Sequence, residues 1–61
     1  MITASDAYAA ALDNAPGLKV ENIELIQLMD AWHYRIEGKV AETDTIQLVD
    51  AVTGNTINPT P

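Results

Sequence analysis

The sequence predicts an α+β domain, with one N-terminal helix packed on a three-stranded antiparallel meander sheet. An alanine-rich stretch with helical spacing opens the chain, and three β-prone segments follow it. The links between those segments are too short for parallel crossovers, so neighbouring strands must run antiparallel. A single helix then has one sheet face to cover.

The helix comes first. Thr3 is placed to cap it, with Asp6 three residues on to complete a capping box and favour the positive end of the helix dipole; Ser5 is the rival cap. Residues 6–12 are rich in alanine, the strongest helix former, and Ala7, Ala11 and Ala15 recur at helical spacing beside Tyr8 and Leu12. A face of such small residues lets a helix lie close against a sheet. Asn14-Ala15-Pro16-Gly17 ends it: Pro16 disfavours the α conformation at Ala15, and Gly17 permits a positive φ.

The first strand is expected over 18–28. Ile23 and Leu25 alternate with Asn22 and Glu24, but Leu25, Ile26 and Leu28 then put apolar groups on both faces. Met29-Asp30 is the turn. In the second strand Trp32, Tyr34 and Ile36 point one way and His33, Arg35 and Glu37 the other. Gly38 interrupts it, which signals a bulge or a close backbone approach. Ala41-Glu42-Thr43-Asp44 is a polar turn, and 45–51 is the third strand, carrying Ile46, Leu48 and Val49. Thr53-Gly54-Asn55 is a tight turn with residues that accept positive φ, and Thr56 and Ile57 begin a short extended piece. Ala7, Tyr8, Ala11 and Leu12 are expected to pack over Ile23, Leu25, Trp32, Tyr34, Ile36 and Val49. The domain then spans 1–57, and Asn58-Pro59-Thr60-Pro61 starts an extended tail or linker.

Size and charge narrow the function. Sixty-one residues make one domain at most, and without cysteine its stability must come from apolar packing. Hydrophobic residues make up 48% of the chain, enough for a core rather than a disordered segment. The net charge is −6, with Lys19, Arg35 and Lys39 the only bases. Nucleic acid and anionic membrane surfaces are therefore poor partners, and a cationic partner or plain solubility fits better. No segment approaches the ~18 apolar residues of a membrane span, so no direct membrane insertion is expected of this segment.

No constellation points to catalysis or a cofactor. There is no Ser/His/Asp order, no phosphate-cradling glycine loop and no cysteine nucleophile. His33 and Glu37 share a strand face but lie ~13 Å apart along it, too far to hold one ion. Asp30, Asp44 and Asp50 stand near turns without the spacing of a calcium loop. No metal or cofactor is expected, and the polar face of His33, Arg35 and Glu37 reads as solvated. Trp32 and Tyr34 are expected in the core; an exposed aromatic strip is the alternative. The apolar Ile26, Leu28 and Leu48 fall on the face away from the helix, beside Val40. They mark a partner surface together with His33 and Arg35, unless a register shift turns some of them inward. An edge strand offers a second route, by accepting an added strand.

Several stretches occur together in a familiar order. The alanine-rich helix stops at Ala15-Pro16-Gly17, and Val20-Glu21-Asn22-Ile23-Glu24-Leu25 follows. Then come Trp32-His33-Tyr34-Arg35-Ile36 and Val49-Asp50-Ala51-Val52-Thr53-Gly54, with Ile57 beyond. This order resembles the PepSY domain family, found in propeptides of thermolysin-like metalloproteases and in bacterial envelope proteins. The look of the first two strands is closest to copies in PepSY-associated transmembrane proteins. The resemblance implies a non-catalytic, extracytoplasmic module of the cell envelope that binds a protein or peptide. The partner would be a peptidase it inhibits or modulates, or the rest of its own chain. A structural spacer of a larger membrane-anchored protein is the alternative. Pro16, Gly17, Asp50, Thr53 and Gly54 are read as structural: Asp50 accepts backbone N–H bonds at a turn and Gly54 supplies a positive φ.

Overall fold

The computed structural model describes residues 1–57; the tail expected at 58–61 lies outside the described residues. Helix α1 (Ala4–Asn14) is followed by β1 (Leu18–Leu28), β2 (Ala31–Val40), β3 (Thr43–Asp50) and β4 (Thr56–Ile57). The strands form one antiparallel sheet in the order β1-β2-β3-β4. The helix-then-meander architecture matches the expectation, and the strand count does not. Beyond the three long strands, the turn at Gly54 folds the chain back so that Thr56 and Ile57 pair with Val49 and Leu48.

Thr3 caps α1 with a full capping box. Its side chain accepts from the Asp6 N–H at 3.1 Å, and the Asp6 carboxylate accepts from the Thr3 N–H at 3.2 Å. The helix ends because Ala15, ahead of Pro16, leaves the α region (φ −137°, ψ 84°). Gly17 is not in the left-handed region expected of it; Gly54 (φ 79°) is the one positive-φ glycine among the described residues. The proline alone breaks the helix, and the Leu18 N–H closes a turn onto the Ala15 carbonyl.

Two-residue turns join the long strands. Met29 and Asp30 (φ 50° and 66°) turn β1 into β2, and Ala41 and Glu42 (φ 50° and 68°) turn β2 into β3. Successive positive φ values belong to the turn whose twist suits a tight hairpin, usually with Asn or Gly in these positions. Here neither turn contains either residue.

A bulge sets the faces of β1. Val20 pairs with Gly38 and Asn22 with Glu37, so Glu21 is the extra residue. The bulge shifts the alternation by one, which lets Leu18, Val20, Ile23 and Leu25 all share the helix side. Opposite it, Gly38 is required by space: a Cβ there would collide with the Lys19 carbonyl and touch Leu18 Cδ1. The close approach expected at Gly38 is real, while the bulge itself belongs to the neighbouring strand.

The core is small. Ala7 and Ala11 of α1 meet Leu18, Tyr34, Ile36, Val49 and Ala51, with Ile2, Leu12, Val20, Ile23 and Val40 around them. Tyr34 donates from its hydroxyl to the Ile2 carbonyl at 3.0 Å, and the Ile2 N–H donates to the Ala51 carbonyl at 2.7 Å, so the segment before α1 is tied to the sheet. Buried Gln47 accepts from the Asn14 amide at 2.8 Å, fastening the last turn of the helix to β3.

Three expected core members are not inside. Tyr8, Leu25 and Trp32 are each more than 40% exposed. Tyr8 lies on α1 beside the narrow buried face formed by Ala7 and Ala11, and for Trp32 the reason is reach. An 11-residue helix spans about 16 Å, whereas the 10 residues of β2 extend over about 33 Å. Trp32 lies toward the β1–β2 turn, past core residue Tyr34, while Leu25 stands opposite buried Tyr34 but on edge strand β1, with no further strand beside it. Val40 also moves: it packs against the core on the helix side, not beside Leu48.

Candidate functional site

The sheet face opposite α1 carries the candidate surface. Cross-strand register places side chains there in rows. Ile26, His33 and Asp50 form one row; Glu24, Arg35, Leu48 and Ile57 form the next; Asn22, Glu37 and Ile46 form a third. Leu28 lies opposite Ala31 at the turn end. All five residues picked from the sequence as a partner surface (Ile26, Leu28, His33, Arg35 and Leu48) therefore share one face. The register also adds Ile46 and Ile57, which sequence reading passed over. The signal for Ile57 was its position after a tight turn, which returns the chain to pair with β3.

The face is not uniformly solvated. His33 is only 6% exposed, against the expectation of a hydrated position. It stands on an inner strand with Ile26 on one side and Asp50 on the other. Its Nδ1 lies 3.1 Å from the Ala31 carbonyl, which can only accept, so this nitrogen carries the proton. Arg35 donates to Glu37 at 2.6 Å and to Glu24 at 3.1 Å. The Glu37 carboxyl is lowered, chiefly by its hydrogen bond from Arg35, and the Arg35 guanidinium is raised by the same contact. The result is an apolar surface of Ile26, Leu28, Ile46, Leu48 and Ile57 crossed by one ion-paired triad.

A shallow open depression of about 500 Å³ lies farther along, near the bulge, lined by Glu21, Glu37, Lys39, Asp44 and Ile46 among others. Lys39 reaches Asp44 there at 3.7 Å. The lining mixes charges without an enclosed wall, which suits solvent more than a small ligand. Among the described residues, no three His, Asp or Glu side chains converge as metal ligands, and no helix is long and apolar enough to cross a membrane.

The motif at 49–54 does different work. Asp50 Oδ1 accepts from the Val52 N–H at 2.7 Å and the Thr53 N–H at 3.0 Å. The Asp50 carbonyl accepts from Gly54, the Asp50 N–H donates to Asn55, and Thr53 Oγ1 accepts from the Asn55 N–H. These backbone donors, Thr53 first, hold the Asp50 carboxyl below its ordinary range. The Asp50 and Thr53 side chains are spent on the loop itself, while the Ala51 backbone ties the motif to Trp32 and Ile2.

An antiparallel sheet covered on one face by a single helix, with a turn loop closed by Asp50 and Thr53, defines a small α+β domain. The family described as peptidase propeptide and YPEB domain, PepSY, matches residues 1–58, and the chain belongs to that family. No curated protein and no solved structure matches it.

Proposed function

We propose that this domain is a non-catalytic module that binds a protein or an extended peptide through the sheet face opposite α1, and that it modulates a peptidase outside the cytoplasm. The observation that carries the reading is the apolar set Ile26, Leu28, Ile46, Leu48 and Ile57, left on a sheet face that α1 does not cover. A 61-residue domain has little apolar material to spare. Leu28 and Ile57 are exposed there, with Ile26, Ile46 and Leu48 half-buried between them, and an apolar patch of this kind suits an interaction site. Membership in a family described by peptidase propeptides supports a peptidase as the partner and the cell envelope as its place.

The test is an amide NMR map of the folded domain, before and after adding a thermolysin-like metalloprotease, alongside an inhibition assay. Shifts are expected at Ile26, Leu28, His33, Arg35 and Leu48, with slower proteolysis. A well-folded monomer whose amides respond to no peptidase would instead favour the spacer reading.

A further inference from the structure

We propose that the outer edge of β1 over residues 23–28 takes an extended segment, both cationic and apolar, as an added strand of the sheet. The proposal rests on the binding-module reading and names the chemistry of its partner.

The geometry begins with the sheet order. β1 is an edge strand with β2 as its single neighbour. Among the described residues, no backbone group from 19 to 28 bonds outside the sheet. Every second residue of an edge strand therefore presents an unpaired N–H and C=O outward. Natural edges are usually blunted by charge, proline or a bulge. β1 has its bulge at Glu21, and from 23 to 28 it carries one charge, Glu24, with no glycine or proline. The bulge thus leaves the later half of the edge as a regular ladder of about 20 Å.

Side chains flanking this edge specify the occupant. Ile26 and Leu28 lie on the open face, and Leu25, 42% exposed, lies on the other. An added strand would meet apolar groups on both of its faces. Glu24 supplies the charge preference. Arg35 is held more closely by Glu37 than by Glu24, and Glu24 keeps about half its side chain exposed. Its carboxylate retains capacity for a second cation arriving at the edge. The net charge of −6 steers a cationic segment toward the domain and repels a second copy.

The experiment uses the 61-residue chain labelled with ¹⁵N and an eight-residue peptide alternating valine with lysine and threonine. Two control peptides are the same sequence N-methylated along its backbone and a version with glutamate for lysine. The expected result is slowed amide exchange within residues 23–28, with affinity falling about tenfold on N-methylation, since ladder hydrogen bonds are lost. Glutamate replacement should weaken binding by a similar factor at low salt, and the E24Q variant should narrow that gap. Equal affinity for the N-methylated peptide, with shifts at Leu48 and His33, would overturn the edge proposal and leave the open face as the binding site. No response to any peptide would overturn it too, while the peptidase titration decides the broader reading separately. Protection of 23–28 that rises with protein concentration alone would identify a second copy as the occupant, against the proposal.

Discussion

The loop at 50–54 and the strand edge at 23–28 sit in the same small sheet and treat their polar groups in opposite ways. In the loop, Asp50 and Thr53 satisfy four backbone N–H groups between them, counting those at Val52, Thr53, Gly54 and Asn55. At the edge, outward N–H and C=O groups have no partner within the described residues. The loop's side-chain acceptors are consumed in shaping the turn that holds β4 against β3. Capacity to bind remains where the fold leaves groups unpaired.

The comparison breaks most visibly in the core. Ile36 is fully buried beneath Ala7 and Ala11. Ile36→Ala should cost about 2–5 kcal/mol, comparable to the whole margin of a domain this size, and circular dichroism should show it largely unfolded at 25 °C. Next is Tyr34→Phe, which strands the Ile2 carbonyl; a loss of about 1 kcal/mol is expected in urea unfolding. Thr3→Ala should cost a similar ~1 kcal/mol by removing the cap, and Ser5→Ala far less. A larger loss from Ser5→Ala than from Thr3→Ala would place the cap at Ser5.

On the exposed side the expectations invert. Leu28→Ser should change stability by no more than about 0.5 kcal/mol while weakening peptide binding, as titration of the variant would show. Loss of folding instead would make Leu28 a structural residue.

The smallest effect is confined to acid. The carboxyls of Asp50 and Glu37 are both lowered in the folded state. Their contribution to stability is complete above the unfolded carboxylate pKa of about 4. It is lost as pH falls through the lower folded values. Melting temperature should therefore drop below about pH 4, and Asp50→Asn should flatten part of that drop. A variant profile that superimposes on the wild type would assign the acid sensitivity elsewhere.

Local signals read well from the sequence. The bounds of β1, the Thr3–Asp6 capping box and the turn at Met29-Asp30 follow from pattern and residue type. The turn expected over 41–44, however, is only Ala41 and Glu42, because Thr43 and Asp44 pair with Val40 and Lys39 at the start of β3. Alternation also placed Ile26, Leu28, His33, Arg35 and Leu48 on one face. What it could not supply was reach and neighbourhood. Trp32 has the parity of a core residue but lies beyond the end of a short helix. His33 has the parity of a surface residue but is walled in by Ile26 and Asp50. The fourth strand depends on two residues that pair only because Gly54 turns the chain back. Gln47 is buried because Asn14 satisfies it, a contact between residues 33 apart in sequence that no local pattern shows.

Amide exchange on the free and peptide-bound domain tests the central claim most directly. Outward amides within 23–28 should exchange quickly in the free domain and slow on addition of the cationic peptide, while Val52, Thr53 and Gly54 stay unchanged. New protection at Val52, Thr53 and Gly54, with 23–28 unaffected, would contradict the account and return the binding role to the motif loop.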